Sequence, residues 1–114
     1  MRPFTFRNGT VLRRVVIQRP EGEVVVDLIL AREPFLTAAL ARRQHRQLGE
    51  IGTYVVSAED LVLMKLQAGK PQDLIDVREV AAAQPLNMPY IRRWAARLRL
   101  KTRLSRALPW TRKR

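Results

Sequence analysis

Residues 23–31 read EVVVDLILA, apolar at nearly every position (Val24, Val25, Val26, Leu28, Ile29, Leu30) and dense in β-branched side chains. Such a run predicts a strand buried on both faces, and therefore a central one. The ten residues before it, TVLRRVVIQR, carry the same β-branched character, and a Pro-Glu-Gly break separates the two runs. Residues 10–31 are thus expected to form a hairpin with a tight turn.

After the hairpin the spacing becomes helical. Pro34 suits a first helical turn and Gly49 suits a far end, so a helix is expected from Pro34 to about Leu48. A short strand, Thr53 to Val56, follows. Ser57-x-x-Asp60 ahead of LVLMKL has the form of a capping box, and the helix it opens should stop at Gly69. Lys70-Pro71 opens the next helix, whose stripe is Leu74, Val77, Val80 and Ala81, and Gln84-Pro85 closes it. Asn87-Met88-Pro89 starts a last helix with Ile91, Trp94, Ala95 and Leu98 on one face; the stripe then slips to Leu100, Leu104 and Leu108 before Pro109. The expected fold class is α+β: a hairpin plus a short strand packed with about four helices.

Charge divides the chain differently. Of 114 residues, 22 are Lys or Arg and 10 are Asp or Glu, a formal charge of +12. All the carboxylates lie before residue 91, so the body is close to neutral and residues 91–114 are wholly cationic. The expected division is a domain over 1–98 and a basic tail over 99–114. Within the cationic segment Arg93, Arg97 and Lys101 form one i, i+4 row, and Arg92, Arg99, Arg103 and Arg106 surround much of the rest. RNA or another polyanion is the partner this charge implies, with steep salt dependence; the competing reading is a frayed extension. Trp110 is available for base stacking or for packing. The absence of cysteine excludes disulfide scaffolds and thiolate metal sites and fits a reducing, cytoplasmic location. No apolar run has the length of a membrane span.

Two groups in the body have residue types suited to chemistry. Asp27 is an acidic residue inside an apolar strand, where an ionised group needs a partner. It either bonds a backbone N–H or an arginine of the neighbouring strand, or holds a divalent cation against substrate phosphates. Glu23 lies too far along the strand to share an ion with it. Lys65, on one helix, and Asp73 and Asp76, at i, i+3 on the start of the next, are brought close by the short link at Gly69. Here too two readings stand: a tie across a helix junction, or a lysine that faces a phosphate. His45 stands alone among arginines and reads as part of a solvated helix face, while Ser57 reads as a cap.

Taken together, EVVVDLILA, VVSAEDLVLMKLQAGKPQDLIDV and LNMPYIRRWAARL resemble the second half of a minimal nucleotidyltransferase of the DNA polymerase β type, close to the AbiEii-like toxins of toxin-antitoxin systems. The likeness spans most of residues 11–98 and is most specific from Ser57 to Val77. It implies that Asp27 is a metal-binding carboxylate, that Lys65 approaches the nucleotide phosphates, and that Asp73 and Asp76 are the downstream catalytic acidic pair. It also implies Mg²⁺ and a nucleoside triphosphate as cofactor and substrate, and RNA or protein as acceptor. The family's glycine-rich helix start and Asp-x-Asp pair do not occur in the 26 residues before Asp27, and Gln72 stands where a lysine is common. The resemblance therefore implies a truncated fold, inactive alone, whose exposed sheet edge is covered by dimerisation or by a partner chain. The alternative is a nonenzymatic binding module carried by the basic tail.

Overall fold

The computed structural model describes residues 4–5 and 11–111 of the chain. Arg112, Lys113 and Arg114 of the basic segment lie outside the described residues. The chain divides into two compact units, residues 1–41 and 42–114. The α+β class holds in both halves.

The first unit contains β1 (Phe4–Thr5), β2 (Val11–Arg19), β3 (Gly22–Ile29) and the helix α1 (Pro34–Ala41). The strands form an antiparallel sheet in the order β1-β2-β3. The expected hairpin is present, in a register that sets Arg19 opposite Gly22 and Arg14 opposite Asp27. The central placement of the apolar strand is not. Among the described residues β3 pairs only with β2, and Val25 and Leu28 are 53% and 50% exposed. An all-apolar run signals a demand for cover, but burial on both faces needs a strand on each side and a layer above and below. The described strands supply one neighbour.

The expected helix to Leu48 is also corrected. It ends at Ala41, and Gln44–Leu48 is instead a strand, β4, paired with β5 (Ile51–Val55). Residues 42–47 contain no apolar side chain to extend the stripe of α1. Gly49, at φ +60°, takes the first central position of a two-residue turn between Leu48 and Ile51 rather than a helix end. His45 consequently lies on a strand, edge-on to Tyr54 at 5.4 Å between centroids, and not on a helix face.

The second unit continues with α2 (Ala58–Ala68), α3 (Pro71–Ala83), α4 (Met88–Arg97), α5 (Lys101–Ala107) and a 3-10 turn (Pro109–Thr111). Its core is built from Val62, Leu63 and Leu66 of α2, Val77 of α3, Ile91 and Ala95 of α4, and Leu104 and Ala107 of α5. The helix ends follow the local signals. Ser57 caps α2, its Oγ accepting from the Asp60 N–H at 3.1 Å. Asp73 accepts from the Lys70 N–H at 3.0 Å ahead of α3, and Asn87 Oδ1 accepts from the Tyr90 N–H at 3.2 Å ahead of α4.

The slipped stripe marks a break between two helices. Leu100 N–H donates to Ala95 C=O at 2.7 Å and Arg99 N–H to Ala96 C=O at 3.4 Å, the bond pair of a Schellman motif. Arg99 occupies its left-handed position, φ 59°, where glycine is usual. Leu100 is buried just beyond it, and Leu104, Ala107 and Leu108 follow it into the core. The described part of the basic segment is therefore folded into the second unit.

Candidate functional site

Lys65, Asp73 and Asp76 come together where α2 hands over to α3. Lys65 Nζ donates to Asp76 Oδ2 at 2.9 Å and forms an ion pair with Asp73 Oδ1 at 3.5 Å. The second oxygen of each carboxylate is also used: Asp73 Oδ2 accepts from the Lys70 N–H at 3.0 Å, and Asp76 Oδ1 accepts from Gln72 Nε2 at 2.9 Å. Both acids are thus oriented from behind, and they pin the ammonium. Its side chain remains 33% exposed. An ammonium has three donors, so two carboxylates leave one free for a further acceptor.

The charges follow from these contacts. The hydrogen bond to Asp76 raises the Lys65 pKa above its ordinary value, and Gln72 first, then Lys65, hold the Asp76 carboxyl below the usual carboxylate range. Lys65 is therefore fully charged at neutral pH. It is suited to stabilise negative charge, not to act as a base or nucleophile.

Asp27 belongs to the first unit. Arg14, directly across the hairpin, donates to both of its oxygens, Nε to Oδ1 at 2.7 Å and Nη2 to Oδ2 at 3.0 Å. This fork holds the Asp27 carboxyl below its ordinary range. The arrangement does not fit Mg²⁺: both oxygens face a guanidinium, and among the described residues no group of three or more His, Asp or Glu could hold a metal ion.

The basic residues of the last two helices divide by use. Arg103 Nη1 donates to the Leu66 and Gln67 carbonyls, each at 2.8 Å, satisfying the open C-terminal end of α2. It approaches so closely that a Cβ on Gly69, itself at φ +67°, would meet Arg103 Nη1 at 2.7 Å. Arg106 gives its carbonyl to Arg78 Nη2 at 3.2 Å. Arg97 lies over the Trp94 ring at 5.1 Å. Arg92, Arg93 and Lys101 line one cleft between α4 and α5, while Arg99 is exposed at the junction.

A second polar cluster escaped the sequence reading. Asp60, fully buried, accepts from Ser57 Oγ at 2.7 Å, Tyr90 Oη at 2.6 Å and Arg42 Nε at 3.2 Å. Arg42 also lies 3.9 Å above the Tyr90 ring. Glu59, next to Asp60, accepts from Arg42 and from the Asn87 N–H. Burial first, and then the bond to Asp60, push the Tyr90 phenol up to about 12. Both oxygens of Asp60 and both of Glu59 already have a donor, so the cluster fixes α4 on α2. Its only local signal was Ser57-x-x-Asp60, which showed the cap and not the distant tyrosine.

Among the described residues no helix is long and apolar enough to cross a membrane. No curated protein and no solved structure shows significant similarity to the chain. Residues 42–106, more than half of the sequence and nearly all of the second unit, match a family described as nucleotidyltransferase of unknown function (DUF6036). The lysine pinned between α2 and α3 lies inside that match, and the chain belongs to this nucleotidyltransferase family.

Proposed function

We propose that the second unit binds the phosphates of a nucleoside triphosphate through Lys65, as part of a nucleotidyltransferase of the DNA polymerase β type related to the AbiEii-like toxins. The observation that supports this is the pinned, third-exposed ammonium: each carboxylate holds Lys65 with one oxygen and is itself held by the other. A fixed cation costs no reorganisation when charge builds on phosphoryl oxygens, and positioning with electrostatic stabilisation is most of what phosphoryl transfer requires of a protein. Asp73 and Asp76 act here as positioning residues. Transfer of the nucleoside monophosphate to RNA or protein needs metal-binding carboxylates other than the Arg14-bound Asp27.

Calorimetric titration of the full chain with nucleoside triphosphate tests the reading. Saturable binding is expected, weakened about 10-fold or more in Lys65→Met, as loss of one charge-assisted hydrogen bond of ~1.5–3 kcal/mol requires. Lys65→Arg keeps the charge and should retain part of the affinity. Absence of saturable binding, or equal affinity in Lys65→Met, overturns it.

A further inference from the structure

The cleft between α4 and α5 uses none of the Lys65 group. It encloses about 430 Å³ and is lined by Arg92, Arg93 and Lys101, with Ala95, Ala96 and Leu104 as its apolar wall. That volume is in the range of small-molecule sites. Its charged side chains are all cationic, since residues 91–111 contain no carboxylate, and Ser105 and Thr111 complete the lining. None of the three cations takes part in an ion pair among the described residues. Arg92 is the most telling. Its Nε is buried and has no hydrogen-bond partner. A buried guanidinium N–H without an acceptor costs free energy, and an anion bound beside Arg92 in the cleft offsets that cost through its charge rather than by reaching the Nε itself.

We infer that this cleft is a binding site for single-stranded nucleic acid, taking one nucleotide of the strand with its phosphate on Arg92, Arg93 and Lys101. A mixed lining suits a nucleotide better than an inorganic anion. Three cations can hold the phosphate while Ala96, the exposed apolar residue of the lining, meets a sugar or base over the buried Ala95 and Leu104. Outside the cleft, Arg97 at the end of α4 and Arg99 just beyond it are exposed and add to the positive charge of this segment. Trp110, 59% exposed, is next in sequence to Thr111, which lines the cleft, and offers a stacking surface. A duplex backbone would meet the rim charges but could not place a nucleotide between the helices, so the strand bound is single. The proposal is independent of nucleotide binding at Lys65.

Fluorescence anisotropy of labelled single-stranded RNA and DNA oligonucleotides with the full chain tests it, because diffuse adsorption to a basic protein and occupancy of a cleft respond differently to three variants. Arg93→Glu with Lys101→Glu reverses the rim and should weaken binding at least 10-fold. Ala96→Phe fills the cleft at unchanged net charge and should weaken binding at least several-fold, with the circular dichroism spectrum preserved. Arg13→Glu on the hairpin, with Arg46→Glu on β4, removes as much charge elsewhere and should leave affinity within about twofold after correction for salt. Binding of either RNA or DNA with this pattern supports the site. Equal loss in both charge-reversed proteins with no effect of Ala96→Phe overturns it. So does the absence of oligonucleotide binding, or a preference for duplex.

Discussion

Removing one oxygen atom, in Tyr90→Phe, isolates the contact on which the second unit's polar interior depends. Asp60 is fully buried, and Tyr90 Oη, at 2.6 Å, is the donor to its Oδ1; Ser57 and Arg42 both serve Oδ2. The substitution keeps the ring, and with it the Arg42 guanidinium 3.9 Å above it. What is lost is one hydrogen bond to a charged acceptor that water cannot replace, about 1.5–3 kcal/mol. For a unit of this size 1 kcal/mol moves the melting temperature by roughly 4–8 °C, so a loss near 2 kcal/mol lowers it by about 8–16 °C. Thermal unfolding followed by far-ultraviolet circular dichroism at neutral pH reads this directly. The phenol also gives a pH signature. Its pKa is about 12 in the folded protein against an ordinary 10.0, so the fold favours the neutral form. Stability from this source is complete below pH 10.0 and is lost as pH rises towards about 12. The gap between the wild-type protein and Tyr90→Phe should therefore narrow across that interval. A melting temperature lowered by less than about 2 °C, with a gap constant to high pH, refutes the assignment of Asp60 and Tyr90 as the clasp between α2 and α4.

Two further outcomes follow from local geometry. Arg99→Gly relieves the left-handed strain of the Schellman turn at φ 59° and should stabilise the protein by about 1 kcal/mol, read as a higher melting temperature. Asp76→Asn should remove an acid-sensitive contribution. The wild-type carboxyl is held below its ordinary 3.8 by Gln72 and Lys65, so its stabilisation is present above that value and lost as pH falls through the folded pKa. The variant should show a flatter acid limb in urea unfolding, and an unchanged limb would place Asp76 outside the tie.

The helices of the second unit were legible because their ends are written locally. Ser57, Gly69, Pro71 and Asn87 act within three residues of the backbone groups they satisfy. The Lys65 group was legible for a similar reason, since an i, i+3 pair after a short link has few places to go. Polar strands are harder to see. Gln44–Leu48 has no alternation, and its pairing depends on a turn glycine that reads equally well as a helix end. An arginine of the neighbouring strand was among the partners expected for Asp27, because the hairpin sets the two strands side by side; partners on distant helices were beyond reach, since Tyr90 lies 30 residues from Asp60 and Arg103 lies 37 from the Leu66 carbonyl it caps. A row of arginines read by charge looks uniform. In the fold one arginine closes a helix, one covers a tryptophan, and two line a cleft with Lys101.

Lysine-selective isotope labelling offers the most direct test of the nucleotide assignment, because the chain has only four lysines, Lys65, Lys70, Lys101 and Lys113. A pinned ammonium exchanges its protons slowly and should give a side-chain NMR resonance, assigned to Lys65 by its loss in Lys65→Arg. Addition of nucleoside triphosphate should shift that resonance in a saturable way, while a single-stranded oligonucleotide should shift Lys101 instead. A Lys65 resonance that stays in place while nucleotide binds would show that the ammonium between Asp73 and Asp76 ties two helices and does not hold a phosphate.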